Sequence, residues 1–274
     1  MMAQLRESIK NIPWLGSILY RAYMALRYGD GRAFVIPSGR LSGLIVRRYV
    51  RTVTPAFLSG DYEEWLQTKL ADLLRPGDTF FDIGANGGFF SLLGAHLVGA
   101  SGKVVAAEPH PETARQARAQ LEVNNFTHAL VVQAAVSDAV GYAEFTDGDT
   151  SVVQRLGGLP GASSVARKTI RVPTTTIDEL VRTYGAPSVM KIDIEGAELL
   201  ALRGASAALS EHQPKILLEI HSEELFRSIV PLLRSHGYKV YRINGETVGE
   251  EYVRFVVCIP DASEEIVMRL YAGS

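Results

Sequence analysis

Two hydrophobic periods alternate along most of the chain. Short apolar runs predict seven strands: Thr79–Ile83, Lys103–Ala107 and residues 129–136, 188–192, 215–220, 238–243 and 252–259. Longer stretches between them carry apolar residues at three- and four-residue spacing. These predict helices over Phe89–Val98 and residues 111–124, 176–184 and 197–209. A further helix starts at the cap Ser222, holds Glu223 and Glu224 in its first turn and runs to His236. Strands alternating with helices imply a parallel sheet covered on both faces. No helix separates the last two strands, which follow each other through a tight Asn244-Gly245 turn, so they are expected to pair antiparallel. The expectation is an α/β chain with a Rossmann-like, doubly wound sheet of seven strands that ends in an antiparallel hairpin.

Residues 141–172 interrupt the alternation with short β-like pieces and a loop rich in Gly, Ser, Asp and Thr. Long loops in compact domains are often functional, so this is read as an insertion beside the mouth of the site. Upstream, residues 33–37 and 44–46 read as short strands. Residues 60–74 read as a helix capped by Asp61, with Leu66, Leu70, Leu73 and Leu74 as its apolar stripe. Residues 4–28 place Leu5, Ile9, Ile12, Leu15, Leu19, Tyr23 and Leu26 near helical spacing, divided at Pro13. The expected division is an N-terminal extension over 1–77, helical with short strands, and one domain over 78–274.

Composition sharpens the picture only in places. The chain has 274 residues, 47% hydrophobic and 21% charged, enough for a sizeable core. One cysteine, Cys258, sits in an apolar run and leaves no disulfide framework within the chain. No apolar run reaches the ~18 residues that span a bilayer, and no leader segment is apparent, so a cytoplasmic protein is expected. Net charge is −2, but residues 1–60 hold nine basic and two acidic residues, against 19 and 28 in the remainder. The basic segment reads either as a peripheral contact with an anionic membrane surface or as a lid packed on the core or on a second copy. The acidic main domain argues against a nucleic-acid partner.

The chemistry concentrates at Asp82-x-Gly84-x-Asn86-x-Gly88, a glycine turn between the first strand and its helix. Glycines let backbone N–H groups approach a ligand, and ligands of doubly wound sheets sit at such strand ends. A nicotinamide site would read G-x-G-x-x-G, and here an acid precedes the first glycine. Glu108 ends the next strand, where a carboxylate can take both ribose hydroxyls. An acid for an ammonium and an acid for a ribose fit S-adenosylmethionine. The cofactor set is then Asp82, Gly84, Asn86, Gly88 and Glu108, with His110 near the adenine face and Ser137 and Asp138 at its edge. For Ser137 and Asp138 a plain turn pair remains the alternative.

Two further strand ends carry ionisable pairs, Asp193 with Glu195 and Glu219 with His221. Two-residue spacing in extended chain puts each pair on one face. His221 is the expected base, with Asp193 as the alternative, and Glu195 and Glu219 are expected on the substrate side. A divalent metal on Asp193 with Glu219 or His221 is a further alternative, although no dedicated metal site is expected. Structural roles stay open: Glu195 capping the next helix, Glu219 pairing with Lys191 or Lys215.

Seven segments keep order and spacing: GDYEEW at 60–65, FDIGANGGFFS at 81–91, AAEPHPE at 106–112, AAVSD at 134–138, TTTIDEL at 174–180, KIDIEGAE at 191–198 and LLEIH at 217–221. Together, over residues 33–260, they resemble the FkbM family of S-adenosylmethionine-dependent methyltransferases. The family pattern carries a small residue or Ile where Gly87 stands. The resemblance implies a class I methyltransferase fold and O-methylation of a hydroxyl on a sugar, glycolipid or natural product. A non-catalytic or membrane-associated binding protein on the same fold is the competing reading.

Overall fold

The computed structural model describes residues 31–49, 52–146, 155–156 and 169–261. The amphipathic segment expected over residues 4–28 lies outside them. Among the described residues no helix is long and apolar enough to cross a membrane.

The chain begins with a short antiparallel pair, β1 (Ala33–Val35) and β2 (Ile45–Arg47), with Phe34 opposite Val46. Next comes α1 (Pro55–Ser59), which the sequence reading passed over. Thr54 caps it by accepting from Phe57 N, Pro55 opens it, and Gly60 closes it in the left-handed region. That closure moves the following helix, α2 (Glu64–Leu73), four residues later than expected. Asp61 therefore does not cap α2; its carboxylate accepts from Ser59 Oγ, and Glu63 takes the cap position at φ 47°.

Strands and helices then alternate. They are β3 (Thr79–Ile83), α3 (Phe89–Val98), β4 (Lys103–Ala107), α4 (Pro111–Val123), β5 (Ala129–Val132), β6 (Ala135–Val136), β7 (Gly141–Thr146), β8 (Arg155–Leu156), β9 (Thr169–Thr175) and α5 (Ile177–Tyr184). The chain continues with β10 (Val189–Ile192), α6 (Glu198–Arg203), β11 (Lys215–Glu219), α7 (Glu223–Ser235), β12 (Tyr238–Arg242) and β13 (Phe255–Pro260). The main sheet has seven strands in the order β12-β13-β11-β10-β3-β4-β5. β3, β4, β5, β10 and β11 run parallel, and β13 is antiparallel to both β11 and β12. This is the expected doubly wound sheet of seven strands, with its reversed final hairpin. The strand order reverses at β3, between β4 and β10, and a crevice opens at such a switch point.

Two predicted elements are broken. The strand expected over 129–136 divides after Val132, because β6 leaves the main sheet to pair with β9, Ala135 opposite Thr174. The 141–172 insertion supplies that partner: β6, β9, β7 and β8 form a second sheet of four strands. The helix expected over 197–209 stops at Arg203. A Cβ on Gly204 would lie 2.3 Å from the Ser137 carbonyl oxygen, so the helix presses on the end of β6 there. The Asp178 carboxylate then accepts from Ala207 N and Ala208 N and starts a new turn, a π turn over Ala208–His212.

The extension packs on the same core as the sheet. Ile36, Leu41, Val46, Phe57, Leu66 and Leu70 join Phe80, Phe89 and Leu93 in one buried cluster. Its edge is held by side-chain amides. Asn124 accepts from Ile45 N at 2.8 Å and donates to Ile45 O at 2.6 Å; Gln120 does the same with Arg47, at 2.7 and 2.6 Å. Two amides thus pair β2 as a neighbouring strand would, leaving its polar groups satisfied.

Candidate functional site

The glycine turn takes its shape from close packing at the switch point. Gly84 sits at φ 84°, and a Cβ there would stand 1.8 Å from the Asp193 carbonyl oxygen, so β3 and the segment after β10 meet with no room for a side chain. Gly84 N and Ala85 N both donate to Ala107 O at 3.0 Å, which ties the turn to the end of β4. Gly88, at φ 87°, opens α3 where a Cβ would stand 3.0 Å from Ala117 Cα.

An open cavity lies over this turn, lined by Gly84, Asn86, Glu108, Phe145, Asp193 and Glu195 among others. Glu108 is buried at its floor. Its carboxylate accepts from Asn86 N at 3.0 Å and from His110 N at 2.9 Å. Burial outweighs these two bonds and pushes the Glu108 carboxyl up to about 7. Glu108 thus fixes the turn from one side while facing the cavity from below.

The structure brings Gly84, Asn86 and Glu108 together as expected and places the other predicted cofactor residues differently. Asp82 lies beneath the turn with no exposure. Ser91 Oγ donates to it at 2.6 Å, and Lys191 Nζ stands 3.5 Å away. His110 caps α4, with Nδ1 facing Thr113, while Pro109 and Phe145 form the wall at that end. Ser137 and Asp138 stand behind the wall made by Ala134, Ala135 and Val136. Ser137 donates to Asp138 at 3.2 Å, and its N–H donates to Thr175 O. Neither residue is among those that line the cavity.

The four ionisable groups at the ends of β10 and β11 do converge. His221 Nε2 lies 3.7 Å from Asp193 Oδ1, 3.5 Å from Glu195 Oε2 and 3.4 Å from Glu219 Oε1. A fifth group, absent from the sequence reading, organises them. Glu198, fully buried at the start of α6, holds His221 Nδ1 at 2.8 Å and accepts from Gly196 N at 2.9 Å. Glu195 does not cap α6, whose N-cap is Ala197 with no side-chain cap bond; Glu195 sits two residues earlier at φ 54°. Glu219 pairs with neither lysine: Arg254 donates to its Oε1 at 2.6 Å from Nε. Burial would lower the His221 pKa, but the hydrogen bond and charge of Glu198, with Asp193 and Glu195, raise it on balance. Glu219 is raised by burial and by Asp193, against Arg254. Asp193, Glu219 and His221 can each present one ligand atom within 4.8 Å of the others, a span a hard cation could bridge.

A carboxylate–imidazole pair at the end of a ligand cavity can accept a proton from a bound hydroxyl, provided the imidazole is neutral. The family model of the methyltransferase FkbM domain matches residues 82–240, from the acid before the glycine turn to the middle of β12. The chain belongs to the FkbM methyltransferase family. The 31-O-demethyl-FK506 methyltransferase FkbM of Streptomyces tacrolimicus is 30% identical over 196 residues, 61% of this chain and 75% of that protein. Among solved structures, methyltransferase FkbM from Methylobacillus flagellatus KT is similar at TM-score 0.47 and 21% identity, over 68% of this chain and 45% of its own. This chain thus spans less than half the length of that FkbM protein. A SAM-dependent methyltransferase from Aquifex aeolicus is similar at TM-score 0.44 and 15% identity, over 76% of this chain and 93% of its own.

Proposed function

We propose that this FkbM family member transfers the methyl group of S-adenosylmethionine to a hydroxyl of a small molecule, a sugar, glycolipid or natural product. The observation that carries the reading is the continuity of two features. The cavity over Gly84, Asn86 and Glu108 ends at Asp193 and Glu195, and His221 Nε2 stands 3.7 and 3.5 Å from those two carboxylates. On this reading Glu108 accepts from the ribose hydroxyls, and Phe145 and Pro109 flank the adenine. The Streptomyces relative is named as a methyltransferase of 31-O-demethyl-FK506, which favours an oxygen acceptor on a small molecule.

The protein's part in the mechanism is positioning and proton removal. The donor sulfonium supplies an activated methyl group. The chain must hold the acceptor oxygen in line with the S–CH₃ bond and shut out water, since positioning supplies most of the rate. Glu198 fixes the His221 tautomer: it accepts from Nδ1–H and leaves the Nε2 lone pair among Asp193, Glu195 and Glu219, so the acceptor hydroxyl must enter between those carboxylates to reach it. Nε2 takes the hydroxyl proton as the oxygen attacks, and the resulting imidazolium is stabilised by Glu198, Asp193 and Glu195. Arg254 on Glu219 favours this reading over a metal centre, because its guanidinium already offsets part of the negative charge that would draw a cation.

The extension over 1–77 belongs with the domain on this account, supported by the amide pairs of Asn124 and Gln120 with β2. The basic N-terminal segment is read as a contact for an anionic or lipid-linked acceptor, supported by its nine basic against two acidic residues over 1–60. Sedimentation with anionic liposomes at low and high salt tests that part. The test of the main reading is transfer of label from methyl-labelled S-adenosylmethionine to hydroxylated acceptors. Labelled ether product supports it, and label found only on nitrogen or carbon acceptors would refute it.

A further inference from the structure

The extension reaches the open end of the sheet through the turn at 60–65, GDYEEW. Glu63, at the cap of α2, lies at φ 47° and makes no side-chain cap bond. A non-glycine residue is strained there, so the surroundings must enforce the bend. Gln67, buried one helical turn on, donates to Gly60 O at 3.0 Å and to Tyr62 O at 2.8 Å and so pins it. The pinned turn delivers Trp65 to the last strand of the sheet. Its ring meets Phe255 of β13 with centroids 4.6 Å apart and planes at 63°.

The register of the sheet sets what lies beside this aromatic pair. Phe255 stands opposite Glu219 across β13 and β11, and Lys191 stands opposite Leu217 across β10 and β11. Opposed residues project from the same face, and Asp193 follows Lys191 by two. A pocket therefore runs across the strand ends with two unlike ends. Asp193 and Glu219 border one, and Trp65, Ile243 and Phe255 wall the other. The charged end adjoins the base: His221 Nε2 is 3.7 Å from Asp193 and 3.4 Å from Glu219. Asp193 also lines the cavity over Gly84, so the two openings meet there. Three carboxylates within 3.7 Å of Nε2 would repel a further anion beside the reacting oxygen.

We propose that this pocket is the acceptor subsite, and that Trp65, Ile243 and Phe255 select a neutral acceptor with an apolar group next to its reacting hydroxyl. This rests on the reading of His221 as the base and narrows the class of acceptor. The hydroxyl enters between Asp193 and Glu219, and the apolar group lies against the Trp65–Phe255 pair, held by the apolar surface it buries. A ring with a hydroxyl on every carbon would press polar groups against that wall without partners, and is disfavoured. One wall of the subsite comes from α2, which gives the extension a part in choosing the substrate.

Tryptophan fluorescence of the full chain tests the subsite. The chain has two tryptophans, so Trp14→Phe leaves Trp65 as the sole reporter. That protein is titrated, in the presence of S-adenosylhomocysteine, with cyclohexanol and with myo-inositol, rings of the same size with one hydroxyl and with six. Cyclohexanol is expected to shift Trp65 emission saturably, and myo-inositol to bind at least tenfold more weakly. Ile243→Phe in the same background fills the pocket and is expected to weaken cyclohexanol at least tenfold, with S-adenosylhomocysteine within threefold by calorimetry. Equal response to the two rings, or tighter binding of myo-inositol, overturns the subsite. So does cyclohexanol binding that Ile243→Phe leaves unchanged. The comparison of the two rings stands even if Ile243→Phe fails to fold. Absence of S-adenosylhomocysteine binding in the same samples overturns the donor reading separately, whatever the rings show.

Discussion

His221 Nδ1 lies 2.8 Å from Oε1 of Glu198, a carboxylate with no exposure to solvent. The pair sets the direction of the pH dependence. A base must be neutral to act, so activity should rise with pH as His221 loses its proton. Its pKa is raised above the ordinary 6.5, so the acid limb of kcat should lie above that value. In Glu198→Gln the charge that raises it is removed, the amide oxygen can still accept from Nδ1, and burial still lowers it. The limb should then move to lower pH, with a lower plateau because the imidazole is less firmly oriented. A pH–rate profile of both proteins checks this; an unmoved limb would show that another group titrates.

Removing the base should separate chemistry from binding. His221→Ala is expected to lower kcat by roughly 10²-fold or more, with affinity for the methyl donor within a few fold. A chelator should leave the parent's rate unchanged, since on this account the Glu198–His221 pair removes the proton without a metal. Initial rates with and without EDTA, beside calorimetry of the variant, give both answers.

Glu108 should make donor binding pH-dependent. Its carboxyl titrates near 7, and the ionised form is the better acceptor for two ribose hydroxyls. Affinity should therefore fall as pH drops through about 7 and level off above it. Glu108→Gln should weaken binding at pH 8 by about 2 kcal/mol, roughly 30-fold, and flatten the dependence. Titrations at pH 6, 7 and 8 measure the slope.

Gly84 has a structural role that no other residue can take. Gly84→Ala adds a Cβ 1.8 Å from the Asp193 carbonyl oxygen at a φ of 84°, so β3 and β10 must part at the site. A loss of about 3 kcal/mol or more in unfolding free energy is expected, together with loss of donor binding. Chemical denaturation of parent and variant measures it.

The sheet was readable because its strands are buried on both faces and give unbroken apolar runs, as in 79–83 and 103–107. Its final hairpin followed from the absence of a helix between β12 and β13. Errors arose where tertiary contacts overrode local pattern. Residues 129–136 read as one apolar strand, and only pairing with β9, more than 30 residues away, divides it. The convergence of Asp193, Glu195, Glu219 and His221 was legible from two-residue spacing at adjacent strand ends. Glu198 was not, because an acid in the first turn of a helix reads as an ordinary dipole partner. Its full burial is the distinguishing sign, and burial appears only in the fold.

The most direct measurement is calorimetric titration of the full chain with S-adenosylmethionine and, separately, with NAD. The account predicts saturable one-to-one binding of S-adenosylmethionine, weakened about 30-fold by Glu108→Gln at pH 8, and no binding of NAD. Absence of S-adenosylmethionine binding by the folded parent, or comparable binding of NAD, would contradict it.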